Sequence, residues 1–442
     1  MFLIGIIVFL LHEIAGSMIL DLKIQNFLSF KQETTFSFEA TADKTLEDYY
    51  VAVQEDGTRI LKLGMVYGAN ASGKSNLVEA FRFVSKFVHR VPPEGRNAET
   101  DFVPFSFGKT SDEPGVFELT FYVEGKKHRY SLVVDEEKVL DERLVFYPGA
   151  QPATVFCRTF DAEKNISIIE FGSKIKVSEQ AREAIQLKTL KNTSVIAGYN
   201  QVNISVEEME RVNKWFLVQY LDSIDPYLDL TDFTDEGVKK NPEIKKHTLE
   251  FLKEADFNIA DVIFEKKIRD IPESFLKVID KAPLAPEEIA RLKKEKVFHV
   301  EETLFSHKIE DGGEVLYYSL PEERQSKGTL RYYGLAGPFY HAVKQDAFLP
   351  IDEIGSALHP LLVIHFIKEF LKKSNRAQLL FTTHNMTILN EKDILRKDAI
   401  WFTEKLKDGS TDLFSLADFN FRKELSFYNA YKIGKFGGIP EL

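Results

Sequence analysis

Gly68-Ala69-Asn70-Ala71-Ser72-Gly73-Lys74-Ser75 spells G-x-x-x-x-G-K-S, the spacing of a phosphate-binding P-loop. The residues before it, Leu63-Gly64-Met65-Val66-Tyr67, read as an apolar strand. Those after it read as a helix, with Leu77, Val78, Ala80 and Phe81 apolar and Asn76 and Glu79 polar. Strand, glycine loop and helix are the setting in which this spacing binds phosphate. Glycine lets the backbone wrap an anion without a Cβ in the way. The loop N–H groups and the helix N-terminus then face the phosphate oxygens. Lys74 is placed to reach the outer phosphates of a nucleoside triphosphate, and the Ser75 hydroxyl to ligate Mg²⁺.

Composition frames what surrounds the loop. At 442 residues the chain can form one large or two ordinary domains with a substantial core. With 44% hydrophobic and 28% charged residues it reads as globular. A net charge of -11 excludes a surface that is basic everywhere. Nucleic-acid binding is therefore not indicated, although a local basic groove is compatible with the balance. The single cysteine, Cys157, excludes an internal disulfide framework and fits a reducing, cytoplasmic location. Phe2 to Leu11 is an apolar run about half the length of a membrane span. It has no Lys or Arg before Lys23, so it lacks a signal peptide's basic start. Residues 1–17 read either as a hydrophobic extension, a core strand or an anchor, or as a mis-assigned start with Met18 as the natural first residue; the second is preferred because a well-formed strand begins immediately after Met18, and no membrane partner is expected.

Working outward, Leu20, Leu22 and Ile24 alternate with polar residues as a half-buried strand, and Phe36 and Phe38 share one face of a second. Phe117 to Val123, Tyr130 to Val134 and Val139 to Tyr147 continue as an antiparallel meander. Residues 18–150 form an N-terminal lobe in this reading. Residues 151–300 are expected to be a helical insert. Within it Ser205-Val206-Glu207-Glu208 reads as a capping box, and Pro242–Lys253 and Pro286–Lys296 read as helices. No sustained heptad run predicts a long coiled coil. Residues 301–442 form a C-terminal lobe.

That last lobe carries three motifs. Gln325-Ser326-Lys327-Gly328-Thr329-Leu330-Arg331 opens a helix, and its hydroxyl, bare backbone and helix N-terminus make a second anion site. With a complete cradle already at 68–75, Ser326 and Gly328 are best explained as capping a nucleotide held by another subunit. Ala347-Phe348-Leu349-Pro350-Ile351-Asp352-Glu353 is an apolar strand ending in two carboxylates. Asp352 fits the second anchor for Mg²⁺, and Glu353 is free to polarise an attacking water. Leu379-Leu380-Phe381-Thr382-Thr383-His384-Asn385 is a strand ending at a histidine placed to contact the γ-phosphate or orient Glu353. Ser356-Ala357-Leu358-His359-Pro360 lies between the last two.

The order P-loop, Ser-x-Gly, Asp-Glu, Ser-Ala-Leu-His-Pro, Thr-His-Asn resembles ABC-type ATPases of the chromosome-maintenance (SMC) and OLD-like branch. The opening Ile24-Gln25-Asn26-Phe27-Leu28-Ser29-Phe30 resembles that branch's first strand. The P-loop, the Asp352–Pro360 segment and the tail Lys435-Phe436-Gly437-Gly438-Ile439-Pro440 are similar to the AbiLi/RloA-type ATPases of phage-defence operons and to the ATPase subunit of PARIS systems. The resemblance implies an α/β fold: an ABC-type P-loop ATPase head with an antiparallel β subdomain and an inserted helical subdomain. It implies ATP and Mg²⁺ as cofactors. Gly68, Asn70, Gly73, Lys74, Ser75 and Asn76 would form the nucleotide loop, and Ser326 and Gly328 the signature completing a partner's site. Ser75 and Asp352 would hold the metal, Glu353 would be the base and His384 the switch histidine. Ser356 to His359 would cross a dimer interface. The implied partners are a second copy in a homodimer or larger even-numbered assembly, a separately encoded TOPRIM-like nuclease effector, and a phage-encoded trigger. A DNA-repair ATPase of the same branch is the competing expectation. The chain departs from the family pattern at Pro350, which should disturb pairing if its strand is central, and in offering no recognisable Q-loop glutamine.

Overall fold

The computed structural model describes residues 16–282, 284–419 and 426–438. The hydrophobic extension read at the N-terminus lies outside the described residues, apart from Gly16 and Ser17. The chain forms two compact units, one built from the stretches up to Leu228 and from His341 onward, the other from Asp229–Tyr340. Among the described residues, no helix is long and apolar enough to cross a membrane.

The first unit is α/β and holds two sheets. A seven-stranded antiparallel sheet runs in the order Ile166–Phe171, Ala153–Asp161, Val139–Phe146, Lys126–Val134, Gly115–Val123, Met18–Gln25, Thr34–Ser37. Most of it is a meander in which neighbours in sequence are neighbours in space, as the period-two alternation predicts. A five-stranded sheet runs in the order Phe348–Ile351, Gln378–Thr383, Leu63–Gly68, Ile400–Lys405, Thr411–Ser415. Its first four strands are parallel and its last pairs antiparallel. Leu63–Gly68 is buried throughout, as befits a strand covered on both faces.

Aromatic side chains join these layers. Phe36 and Phe38 are both fully buried. Phe36 packs 5.0 Å from Trp401 and 5.9 Å from Phe81, and Phe38 packs 6.0 Å from Phe348. The helix after the P-loop, Lys74–His89, buries Leu77, Val78, Ala80 and Phe81 as its periodicity requires. Truncating one such ring to alanine would cost about 3–5 kcal/mol. The helix Glu207–Val218 closes the far side of the meander, with Trp215 stacked 4.2 Å from Phe121. Ser205 does not cap it: the N-cap is Val206, without a side-chain bond. Glu208 instead turns inward to His128 Nε2 at 2.7 Å and Arg211 at 2.6 Å, because a buried histidine offers a better partner than a solvated helix end.

The expected helical insert over 151–300 differs from what is observed. Ala153–Asp161 and Ile166–Phe171 extend the meander, and Glu179–Lys188, Val195–Tyr199 and Glu207–Val218 belong to the first unit. The second unit begins at Asp229 and is mixed. It carries Thr231–Lys240, Pro242–Glu254 and Pro286–Glu295 as helices and a three-stranded antiparallel sheet, Ile259–Asp270, Val297–Asp311, Glu314–Pro321. Long charged strands there expose both faces toward their ends, so their composition mimics a solvated helix.

Pro350 lies on the edge strand of the five-stranded sheet, which removes the expected conflict. Its neighbours Phe348 and Asp352 donate their N–H groups to Gln219 and Ile224 carbonyls at 2.7 and 2.8 Å. The imino nitrogen of Pro350 shares that side. There the segment makes isolated bridges Tyr220↔Phe348 and Ile224↔Ile351, four residues spanning three, so the pairing is already irregular.

Candidate functional site

The parallel strands Phe348–Ile351, Gln378–Thr383 and Leu63–Gly68 deliver Asp352, His384 and the P-loop to one edge of the sheet. The loop turns through Ala71 at φ 60 and Gly73 at φ 104. A Cβ on Gly73 would stand 2.1 Å from Thr411 Oγ1, so only glycine fits. Thr411 supports the loop, donating to the Ser72 carbonyl at 2.9 Å and meeting Ser29 Oγ at 2.7 Å. Ser72 and Thr403 share a hydroxyl–hydroxyl bond of 2.6 Å, and Asn76 Nδ2 donates to Ser29 Oγ at 2.7 Å. Asn70 and Ser75 are exposed at the loop surface.

The helix Lys74–His89 starts without a side-chain cap and without an acidic residue in its first turn. Its leading N–H groups and dipole therefore favour an anion. Below the loop, Gly438 passes close to Gly68, with a Cβ position 3.7 Å from the Gly68 Cα. Tyr431 donates to the Gly438 carbonyl at 2.8 Å, and burial pushes that hydroxyl up to about 12, so it remains a donor. Ile439 and Pro440 of the tail motif lie outside the described residues.

Lys74 Nζ donates to the Gly68 and Ala69 carbonyls, each at 3.1 Å, and lies 3.5 Å from Glu353 Oε1. The other oxygen of Glu353 is 2.9 Å from His384 Nδ1. Asp352 is buried. Glu353 sits at φ 46, a left-handed conformation costing roughly 1–2 kcal/mol in a non-glycine residue. Thr382 holds it there. Its hydroxyl accepts from the Glu353 N–H at 2.8 Å and donates to Asp352 Oδ1. Sequence reading gave Thr382 no role. The available signal was a hydroxyl inside an otherwise apolar, fully buried strand, where a polar group must find a partner.

The structure thus gathers Lys74, Asp352, Glu353 and His384 within the first unit. Ser326 and Gly328 stand in the second, at the start of Lys327–Lys344. Ser326 is exposed, and its Oγ caps the helix by accepting from the Thr329 N–H at 3.0 Å. His359 has a local function: its Nδ1 accepts from the Leu361 N–H at 3.3 Å, and Pro360 opens the helix Pro360–Lys373 behind it.

The residues present fit a nucleoside triphosphate with Mg²⁺. An uncapped helix start behind a glycine turn suits the phosphates. The hydroxyl of Ser75 and the carboxylate of Asp352 are the hard oxygen donors Mg²⁺ prefers. Among the described residues, no group of three or more His, Cys, Asp or Glu side chains forms a separate metal cluster.

Residues 65–390 match the family described as "AAA domain, putative AbiEii toxin, Type IV TA system". The chain belongs to this AAA family. Its match spans every motif above from within the P-loop strand to His384. No curated protein sequence matches the family member described here. Among solved structures it is similar to the SMC head domain from Thermotoga maritima, at 12% identity and a TM-score of 0.42, over 90% of this chain and 98% of that chain. It is also similar to the Smc head domain with an extended coiled coil bound to the C-terminal domain of ScpA derived from Pyrococcus furiosus. There the identity is 13% and the TM-score 0.39, over 95% of this chain and 99% of that chain.

Proposed function

We propose that this AAA-family chain binds and slowly hydrolyses ATP, associates with a second copy through the bound nucleotide, and serves as the sensing and scaffolding subunit of a bacterial anti-phage system. The observation that carries the ATPase reading is the Glu353 carboxylate, shared between Lys74 at 3.5 Å and His384 at 2.9 Å. A base must be within reach of the reacting phosphate and held by a partner. The contacts of Glu353 with Lys74 and His384 support that reading.

In this proposal Lys74 and the N–H groups of residues 69–74 bind the outer phosphates. Glu353 takes a proton from the attacking water, and His384 holds the carboxylate in line. Mg²⁺, held by Ser75 and Asp352, would supply charge neutralisation on the phosphate oxygens. Ser326 and Gly328 of a second copy would complete the site, which makes the assembly a homodimer or a larger even-numbered oligomer. The defence role rests on the family description and on the motif series. A separately encoded nuclease-type effector and a phage-encoded trigger are the partners it calls for.

The test is Glu353→Gln in the full chain. ATP binding should persist, phosphate release should fall by about a hundredfold, and the protein should accumulate as dimer or larger species by light scattering. A variant that stays monomeric with ATP while the wild type associates would end the trans-site part of the reading.

A further inference from the structure

We propose that the outer edge of the strand Glu314–Pro321, in the second unit, docks a second copy of this chain, paired antiparallel about a two-fold axis at Tyr317 and without nucleotide. The edge is separate from the Ser326–Gly328 segment, and its pairing does not depend on the phosphate-loop reading.

The strand is the last of its sheet. Val297–Asp311 lies on one side, and among the described residues no strand lies on the other. Gly312-Gly313, at φ 58 and 89, makes the two-residue hairpin turn in which both central residues are left-handed. Asp311 and Glu314 close that turn, and a closing pair exchanges both backbone hydrogen bonds. Bonded pairs alternate from there: Ile309 with Leu316, His307 with Tyr318, Phe305 with Leu320. Lys308, between two of these, turns its N–H the opposite way, to the Asn258 carbonyl at 3.0 Å. Val315, Tyr317 and Ser319 therefore aim their N–H and C=O groups away from the sheet.

Sheet edges in soluble proteins are blunted by lysine, proline, a bulge or an inward-pointing charge, because an open ladder recruits another strand. This edge has none of these over Val315-Leu316-Tyr317-Tyr318-Ser319-Leu320. Its register with Val297–Asp311 runs without a shift, and proline comes only at the end, at Pro321. Side chains stand open on both faces: Val315 and Tyr317 are 48% and 61% exposed on one, Tyr318 is 54% exposed on the other. Charge is confined to the ends, at Glu314 and from Glu322 to Arg324.

A strand that covers this edge must be uncharged over its length and apolar on both faces. The edge itself meets that description. Outward groups pair only with outward groups, so the two-fold axis passes through an outward residue, and Tyr317 is the central one. Val315 then meets Ser319 of the second copy and Tyr317 meets its own counterpart, each pair exchanging two hydrogen bonds. Between them Leu316 meets Tyr318 of the second copy, an aliphatic–aromatic cross-strand contact of the kind that stabilises sheets. Glu314 falls opposite Leu320, so no carboxylates are directly opposed. The two three-stranded sheets become one.

Sedimentation equilibrium of the full chain without nucleotide tests the pairing. Wild type should be a dimer at micromolar concentration, and Lys74→Ala should match it. Ser319→Pro removes one outward N–H, leaves the bonds to Val297–Asp311 in place, and should weaken the dimer at least about tenfold. Tyr317→Lys and Tyr317→Glu each set like charges on the axis and should do the same. An equal mixture of those two should dimerise again, which also shows that both variants fold. A wild type that is monomeric throughout the micromolar range would overturn the proposal. So would a dimer indifferent to Ser319→Pro and Tyr317→Lys, or a Lys–Glu mixture that stays monomeric. A dimer formed only with ATP belongs to the Ser326–Gly328 segment and overturns the edge pairing while leaving the nucleotide reading intact.

Discussion

Lys74 and Glu353 form an ion pair of 3.5 Å across the mouth of the P-loop. The same ammonium donates to the Gly68 and Ala69 carbonyls, so three oxygens hold it inside its own loop. In the proposed function a phosphate at the loop would compete for that ammonium and leave Glu353 held by His384 alone. In the proposed mechanism Glu353 would be restrained until a phosphate takes its place on Lys74. Lys74→Ala should reduce ATP affinity by about a hundredfold or more, since charge-assisted bonds to phosphate are the strong ones. Thermal stability should change little, because Glu353 is partly solvated. Equilibrium titration with ATP and a melting curve check both statements.

A shared site predicts complementation. Lys74→Ala and Ser326→Arg should each be inactive alone. In a mixture, a heterodimer combines an intact P-loop from one chain with an intact Ser326–Gly328 segment from the other. An equal mixture should regain about a quarter of wild-type phosphate release, because half the dimers are mixed and each has one of two sites intact. Activity no higher than that of the separate variants would place Ser326 outside the partner's site.

Thr382 joins the two carboxylate-bearing residues through one hydroxyl. Thr382→Val keeps the shape, strands the Glu353 N–H and releases Asp352. The expected result is a ten- to hundredfold fall in turnover, equivalent to about 1–3 kcal/mol, with ATP affinity held within about threefold. Steady-state kinetics alongside ATP binding separates the two. Loss of affinity with turnover intact would assign Thr382 to the loop instead.

Arg158 and Glu142 are both fully buried, 3.3 Å apart, inside the meander. Arg158 also donates to the Leu190 and Lys191 carbonyls at 2.8 and 3.0 Å, and Tyr130 donates to Glu142 at 2.9 Å. Arg158→Met leaves a buried carboxylate without its cation and should cost about 3–5 kcal/mol, while adding Glu142→Gln should return part of that loss. Denaturant unfolding of the single and double variants measures the difference.

The nucleotide loop was legible because its chemistry is local: eight consecutive residues specify the turn and the helix start. The placement of Asp352 and His384 at strand ends was legible because each follows an apolar run, read in series with the P-loop. Thr382 was not, since its function depends on which strand lies beside it, and Gln378–Thr383 finds its neighbours by long-range pairing. The same reason hid the segment Gln219–Ile224, whose carbonyls and N–H groups close the free edge of the Asp352 strand. The boundary at Asp229 escaped because nothing in composition changes there. Ile259–Asp270 reads as helix in composition because its outer half, from Glu265, is exposed on both faces and carries charge at both parities.

The strand Leu63–Gly68 finds its flanking partners in Gln378–Thr383 and Ile400–Lys405, and Ser72 reaches Thr403 across 331 residues of chain. On a ribosome adding about 5–20 residues per second, that interval lasts roughly 17 to 66 s. For most of that time the apolar strand and its glycine loop have been made and neither flanking strand has. The strands from Gly115 to Phe171, which pair in the order they emerge, can close in the meantime. A chaperone that shields short apolar strands is expected to find its client in that waiting strand and loop.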